Sequence, residues 1–423
     1  MEKYNLIVAG GGFAGVGAAL AAAREGLKVM LIERGNCFGG AAVTGLVNPF
    51  MPFWSSAMPD GEKKRFYLSA EIFREILNGL SEVGALGTNE MTFDEEYLKL
   101  LLNRMIMRAG IKPLFHSYVT DADMSGGTVN TITVANKSGN IQFAADYFID
   151  TTGDGDIAAA AGFSSRVGRE KDGLCQPMTL CFRLANVDME AFGRSRPLIN
   201  PLYKELKEQG KIKNIREDVL FFFTLTDGIV HFNSTRIVKK NPVNAFDITE
   251  AEIEAREQVF ELHKFLKDLI DGFQNSRLIM TAPQIGVRES RKIEGEYILT
   301  GEDLVACVKF EDSIAAGNYD IDIHNPEGSG TSHYYFKDGE YYTIPYRCLI
   351  PKGSKNLLVA GRCVSATHEA QASIRIMPIV CCLGEAAGTA VSVAHKSGVN
   401  VSEANVSEIQ NILRSNGAFI GQI

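Results

Sequence analysis

The sequence has no Cys-x-x-Cys and no Cys/His pair at metal-ligand spacing, although it carries eight cysteines in 423 residues. That leaves reduced thiols rather than a disulfide framework or a metal centre, and predicts a cytoplasmic protein without a metal site. It also lacks a basic excess: 43 Lys plus Arg stand against 51 Asp plus Glu, a net charge of −8. Phosphate-backbone binding needs the opposite field, so nucleic acid is not an expected partner. Low complexity is missing too, since 45% hydrophobic and 22% charged residues are ordinary globular values and the length suffices for two or three domains. The one stretch that imitates an export signal, uncharged from Asn5 to Ala23 behind Lys3, carries Gly10, Gly11, Gly12, Gly15 and Gly17. So many glycines suit neither a secretory apolar core nor a membrane helix, and no membrane partner is expected.

What that stretch does contain is a strand, a turn and a helix. Tyr4 to Ala9 (YNLIVA) is a short apolar run, Gly10-Gly11-Gly12-Phe13-Ala14-Gly15 fits G-x-G-x-x-G, Ala18 to Arg24 is a small-residue helix closed by Gly26, and Leu27 to Ile32 is a second strand ending at Glu33. Gly10 permits the tight turn, Gly12 admits a pyrophosphate, and Gly15 lets helix and strand pack closely. The helix N-terminus turns free N–H groups and a positive dipole end toward the phosphates, and Glu33 can accept from both ribose hydroxyls. A glycine-rich turn without a ligand is the alternative; the strand before, the helix after and the acid at the correct offset weigh against it.

Further on, Phe66 to Leu86 and Asp94 to Ala109 read as helices, Ile111 to Val119 as a strand, and Thr128 to Val134 with Ile141 to Ile149 as paired strands around Ser138-Gly139-Asn140. Asp150-Thr151-Thr152-Gly153-Asp154-Gly155-Asp156 opens a helix through Ala161, with Asp154 able to cap it. Between about Arg166 and Arg347 aromatics and polar loops increase. There Thr249 and Glu252 form a capping box for a helix continued by Ile253, Val259, Phe260, Leu266, Ile270 and Phe273. Asn356 to Ala360 is a buried strand entering Gly361-Arg362, and Pro378 suits the first turn of a helix from Ile379 to about His395. No internal repeat and no second G-x-G-x-x-G follow, so no dedicated NAD(P)H domain is expected.

A second glycine pair after the ribose acid, Gly39-Gly40-Ala41, resembles the glutathione-reductase-like FAD-binding superfamily. The segments Gly10–Gly45, Asp150–Gly162, Pro283–Thr300, Ile344–Leu349 and Asn356–Gly388 look like the FAD-dependent oxidoreductase family related to succinate dehydrogenase and fumarate reductase flavoproteins. The resemblance implies an α/β fold, a Rossmann-like doubly wound parallel sheet with a β-meander and an inserted α+β substrate domain. Its parts would be a first FAD-binding segment at 1–165, a cap at 166–345 and a second FAD-binding segment at 346–423. It implies FAD contacts at Gly10, Gly12, Phe13, Ala14, Gly15, Glu33, Arg34, Gly39, Gly40, Ala41, Val119, Thr152, Gly153, Gly361, Arg362 and Met377.

Where disulfide reductases of that superfamily carry a redox Cys pair, Ala42 and Val47 stand here. The acid-rich motifs of the fumarate reductase cap are missing, and Gly361-Arg362 replaces the Gly-Asp of flavin hydroxylases. The expectation is therefore a two-electron oxidoreductase for a small polar acid, hydroxy, keto or sugar-like compound, with a separate electron donor or acceptor. Arg288, Arg291, Arg347 and Arg375 are candidates to anchor it and His368 to move a proton, because guanidinium forks bind carboxylates and imidazole titrates near neutrality. Glu289 reads equally well as a structural partner, and His231, His324 and His333 as ordinary histidines. Cys363, Cys381 and Cys382 read as buried packing residues. A non-catalytic flavin-binding protein and, with less support, an NAD(P)H-linked reductase are the alternatives.

Overall fold

Strand β1 (Tyr4–Ala9) is the centre of a five-stranded sheet, and every neighbour joins it in parallel. The computed structural model describes residues 3–57 and 64–421. After β1 come α1 (Phe13–Arg24), β2 (Val29–Ile32), β3 (Lys112–Leu114), β4 (Ala145–Asp150), β5 (Leu357–Val359) and α2 (Met377–Ser397), with strand order β5-β4-β1-β2-β3. The two ends of the chain thus share one sheet: Val359 on β5 pairs with Asp150 on β4, which pairs with Ala9 on β1.

Side chains alternate across this sheet. Leu6, Val8, Leu31, Ile149 and Leu358 pack in one core with α1 and α2, while Ile7, Ala9, Met30, Ile32 and Phe148 pack in another. The second face is covered by a three-stranded meander (Tyr118–Ser125, Thr128–Asn136, Gly139–Phe143) and by the short helix Asp156–Ala160. Helix α2 is long and apolar enough to cross a membrane, but 94% of its apolar window is buried in the molecule. Small residues let it lie against α1: a Cβ on Gly384 would stand 1.9 Å from the Ala14 carbonyl oxygen.

A further core gathers Met178, Phe182, Phe192, Phe232, Leu262 and Phe273 beneath a four-stranded antiparallel sheet ordered Phe221–Phe223, Val230–Phe232, Phe182–Ala185, Arg277–Thr281. Phe182 and Phe232 stack at 4.8 Å on its core side. From Leu299 to Ile350 the buried residues rejoin the first core.

Several elements differ from expectation. Phe66 and Tyr67 lie in the strand Lys64–Tyr67, paired with Trp54–Ala57, and the helix runs only from Glu71 to Glu82. Phe66 meets the Tyr341 ring edge-on and the Phe419 ring at a tilt there. Ile111–Val119 breaks at His116, whose φ is 51°, and Ile141–Ile149 divides between the meander and β4. Thr249 caps nothing: the helix begins at Ala245, Asn244 accepts from the Phe246 and Asp247 amides, and Thr249 donates to the Ala245 carbonyl. Ile253 and Phe260 are 62% and 66% exposed, so they are not core.

Candidate active site

One cavity of about 600 Å³ opens along the C-terminal edge of the parallel sheet, a size usual for small-ligand sites. Its first lobe begins at the turn between β1 and α1. Gly10 takes φ 103°, and Gly15 packs so tightly beneath it that a Cβ would stand 1.7 Å from the Gly10 carbonyl oxygen. The α1 N-terminus has no side-chain cap, leaving its first amides turned to the cavity. Glu33 closes the turn: its Oε2 accepts from the Gly11 amide at 2.6 Å and its Oε1 from the Gly35 amide at 2.6 Å. Every residue expected to hold the cofactor lines this cavity except Gly15, which acts through packing.

The Asp150–Asp156 turn is built differently from expectation. Asp154 does not cap the helix that follows. The buried Asp150 accepts from the Ala158 amide at 3.0 Å, and the Thr152 hydroxyl accepts from the Asp156 amide at 3.0 Å. Asp154 instead receives Arg362 at 2.6 Å and Ser290 at 2.7 Å, and against its burial these partners, Arg362 foremost, hold its carboxyl below the ordinary range. Arg362 also donates to the carbonyls of Gly153 and Val287, tying β5 to the turn and to the 283–290 segment.

Asp156 lines the same lobe, and burial together with Asp150 and Asp154 pushes its carboxyl up to about 6. Folding therefore disfavours its charged form, at a cost present above about pH 6 and relieved as the pH falls toward 4. Asp156→Asn should melt higher than the parent at pH 7.5 and together with it at pH 4; scanning calorimetry at the two pH values checks this, and a constant offset would contradict it.

The second lobe is floored by the antiparallel sheet. Register sets Phe222 opposite His231 and His231 opposite Arg183, so this face presents Cys181, Phe222 and Asn233 to the cavity while Phe182, Phe221 and Phe232 enter the core. Arg288 enters from the 283–290 segment. Its guanidinium donates to the Pro177 carbonyl at 2.7 Å and the Thr179 hydroxyl at 2.5 Å, with no carboxylate in ion-pair distance among the described residues. Burial and the neighbouring Arg375 lower its pKa to about 9, so it keeps its charge at neutral pH. Arg375 lines the lobe as well, 3.4 Å from Asp322. Against burial, His324 and Arg375 hold Asp322 well below the ordinary carboxylate range.

Three expected site residues stand elsewhere. Arg347 pairs with Asp312 at 2.9 Å over the Tyr297 ring, half-exposed and off the cavity lining. Arg291 donates to the Asp154 carbonyl and lies 3.5 Å from Asp156, also off the lining. His368 is buried, and its Nδ1 is bonded at 2.7 Å to the fully buried Glu289. Glu289 also receives Lys292 and the Gln176 amide at 3.0 Å. The structural alternative read for Glu289 thus describes its contacts, and His368 shares them.

Conversely, His324 and His333 line the cavity with Tyr319, Asp322 and Arg216, none of which the sequence singled out as site residues. His231 is buried with neither ring nitrogen bonded among the described residues, and its pKa falls to about 3 through desolvation and then Arg183. The available signal was the alternation Ile321-Asp322-Ile323-His324, which marks a strand with one polar face.

The profile of the FAD dependent oxidoreductase family matches residues 5–413. The chain belongs to that family. The residues present fit FAD: an uncapped α1 terminus behind a glycine turn, an acid after β2, and a second uncapped terminus at α2, whose Met377 and Val380 line the cavity. No curated protein compared with the sequence matches it. Among solved structures it is similar to a geranylgeranyl bacteriochlorophyll reductase-like protein from Thermoplasma acidophilum, at 13% identity and TM-score 0.49 over 99% of this chain and 85% of that one. It is also similar to the p-nitrophenol 4-monooxygenase of Pseudomonas putida (11%, TM-score 0.45, 99% and 87% covered). A third is a myxobacterial chondrochloren halogenase (13%, TM-score 0.45, 98% and 80% covered).

Proposed function

We propose that this oxidoreductase acts by two-electron chemistry on a small polar organic acid, with Arg288 taking the carboxylate and Arg375 flanking it. FAD, when bound, supplies the two-electron chemistry. The observation that carries the reading is Arg288: a cavity-lining guanidinium that donates to a carbonyl, a hydroxyl and, at 3.4 Å, the Asn233 amide oxygen, with no carboxylate in ion-pair distance among the described residues. An arginine fork left with neutral partners in a partly buried cavity favours a planar anion. Thr179 and Pro177 fix its orientation in advance, so little rotamer freedom remains to be lost on binding. The reducing cytoplasm suits eight free cysteines. A separate small molecule or protein exchanges the electrons, and residues 166–345 carry most of the substrate contacts.

Arg288→Gln tests the reading. Anaerobic reduction or reoxidation of bound flavin by a carboxylate panel should show KM raised by roughly 10²- to 10³-fold, the loss expected when a buried charge loses its partner. The flavin absorbance should stay intact. An unchanged KM for the best acid would remove the anion from the reading.

A further inference from the structure

The hairpin Ile321–His324 with Thr331–Tyr334 sets Asp322 directly opposite His333 and His324 directly opposite Thr331, and all four residues line the second lobe. Opposed residues of an antiparallel pair project to one side, so the hairpin turns one polar face to the cavity.

Most of that face is committed. His324 Nδ1 lies 3.1 Å from an Arg236 nitrogen. Arginine only donates, so Nδ1 carries no proton, and the protonated Nε2 faces Asp322 Oδ2 at 3.3 Å. Burial and Arg288 push this imidazole down to about 3, so it stays neutral with both nitrogens engaged. Tyr319 is engaged as well, its hydroxyl donating to Asp322 Oδ2 at 3.3 Å. His333 is different. Its Nδ1 is bonded to Asp320, its ring stacks on Tyr335 at 5.3 Å, and its Nε2 stands 3.9 Å from Asp322 Oδ1, beyond hydrogen-bond reach. Asp320 accepts the Nδ1 proton, so in the neutral imidazole the tautomer is fixed and the lone pair falls on Nε2.

We propose that His333, oriented by Asp320, is the proton acceptor of this site, and that the substrate is a hydroxy acid. The proposal rests on the anionic-substrate reading above. Arg288 takes the carboxylate, and the hydroxyl donates to His333 Nε2. When the carbinol carbon becomes a carbonyl, the O–H bond breaks and its proton passes to Nε2. The C–H hydrogen departs with its electron pair as hydride, for which FAD, when bound, would be the two-electron acceptor. His368 has no part in this, being bonded to Glu289 away from the lining.

Two measurements on the holoprotein test this. The first is calorimetric binding, with the flavin photoreduced to prevent turnover, of short-chain hydroxy acids each paired with its deoxy analogue. The hydroxy acid should bind roughly tenfold tighter, the net value of one hydrogen bond. His333→Ala should erase that difference, and Arg288→Gln should weaken both members of the pair. Equal binding within every pair, both lost in Arg288→Gln, overturns the hydroxy acid while sparing the anion site; binding indifferent to Arg288→Gln overturns the anion site itself. The second is single-turnover flavin reduction by the best hydroxy acid. It should slow at least roughly 100-fold in His333→Ala and recover with added imidazole, as expected for general base catalysis. His333 lies on the exposed strand of the hairpin, so the variant is expected to fold, and an unaltered reduction rate overturns the proton role.

Discussion

Gly15→Val should yield a colourless protein that no longer takes up FAD. The added Cβ would stand 1.7 Å from the Gly10 carbonyl oxygen and 2.7 Å from the Thr151 hydroxyl oxygen, with backbone on one side and β4's exit on the other. Neither can withdraw without moving the α1 terminus off the turn. The strain of such overpacking is about 1–3 kcal/mol or more, and displacing the amides that face the phosphates adds to it. A fall in FAD affinity of at least ~100-fold, about 2.7 kcal/mol, is expected by fluorescence titration of the apoprotein. Gly193→Ala is the control. It sits inside the helix Met189–Glu208 with nothing within 4 Å of its would-be Cβ, so alanine should stabilise by about 0.5–1 kcal/mol. A Gly15→Val protein that remains yellow with parental affinity would remove the turn from the cofactor site.

The glycine turn of the first lobe was legible because its parts are local. Gly10 to Gly15 and Glu33 lie within one strand–turn–helix–strand unit, where spacing alone sets which backbone meets which. Arg362 lines the cavity, but its pairing was not visible, since its partner Asp154 is 208 residues away. The second lobe escaped for the same reason. Asp322 and His324 alternate with isoleucines as on any half-solvated strand, and only tertiary packing decides that the polar face meets a cavity. Arg347 failed because a nearer acid, Asp312, claimed its fork through the pairing of Ser313–Gly317 with Tyr342–Pro345. His368 failed through chain proximity: it stands just before α2 and still points into the protein, because Glu289 is fully buried and needs its donors.

That buried cluster is where the largest loss of stability is expected. Glu289 is 0% exposed and Lys292 4%, and the carboxylate accepts from Lys292, from His368 Nδ1 and from the Gln176 amide. Glu289→Gln keeps the shape but removes the charge, leaving the Lys292 ammonium with neutral acceptors, the Gly168 carbonyl at 2.8 Å among them. Breaking a buried pair in this way costs about 3–5 kcal/mol, measurable by urea unfolding at pH 7. Against burial, His368 and Lys292 hold the Glu289 carboxyl below its ordinary value. Its contribution is therefore complete above the ordinary carboxylate range and disappears as the pH falls through the lowered folded value, so parent and variant should converge in acid. Adding Lys292→Met removes the stranded charge and should recover a large part of the loss. The cluster also reaches the cavity: the Gln176 side chain accepts from the His324 amide at 3.3 Å, and Gln371 donates to the Arg288 carbonyl at 2.8 Å. Glu289→Gln should accordingly raise KM for the proposed acid more than it lowers FAD affinity, since Glu33 and the glycine turn stand apart from this network. A stability loss under 1 kcal/mol, or no rescue by Lys292→Met, would show that the cluster is not what holds the 283–290 segment against the cavity.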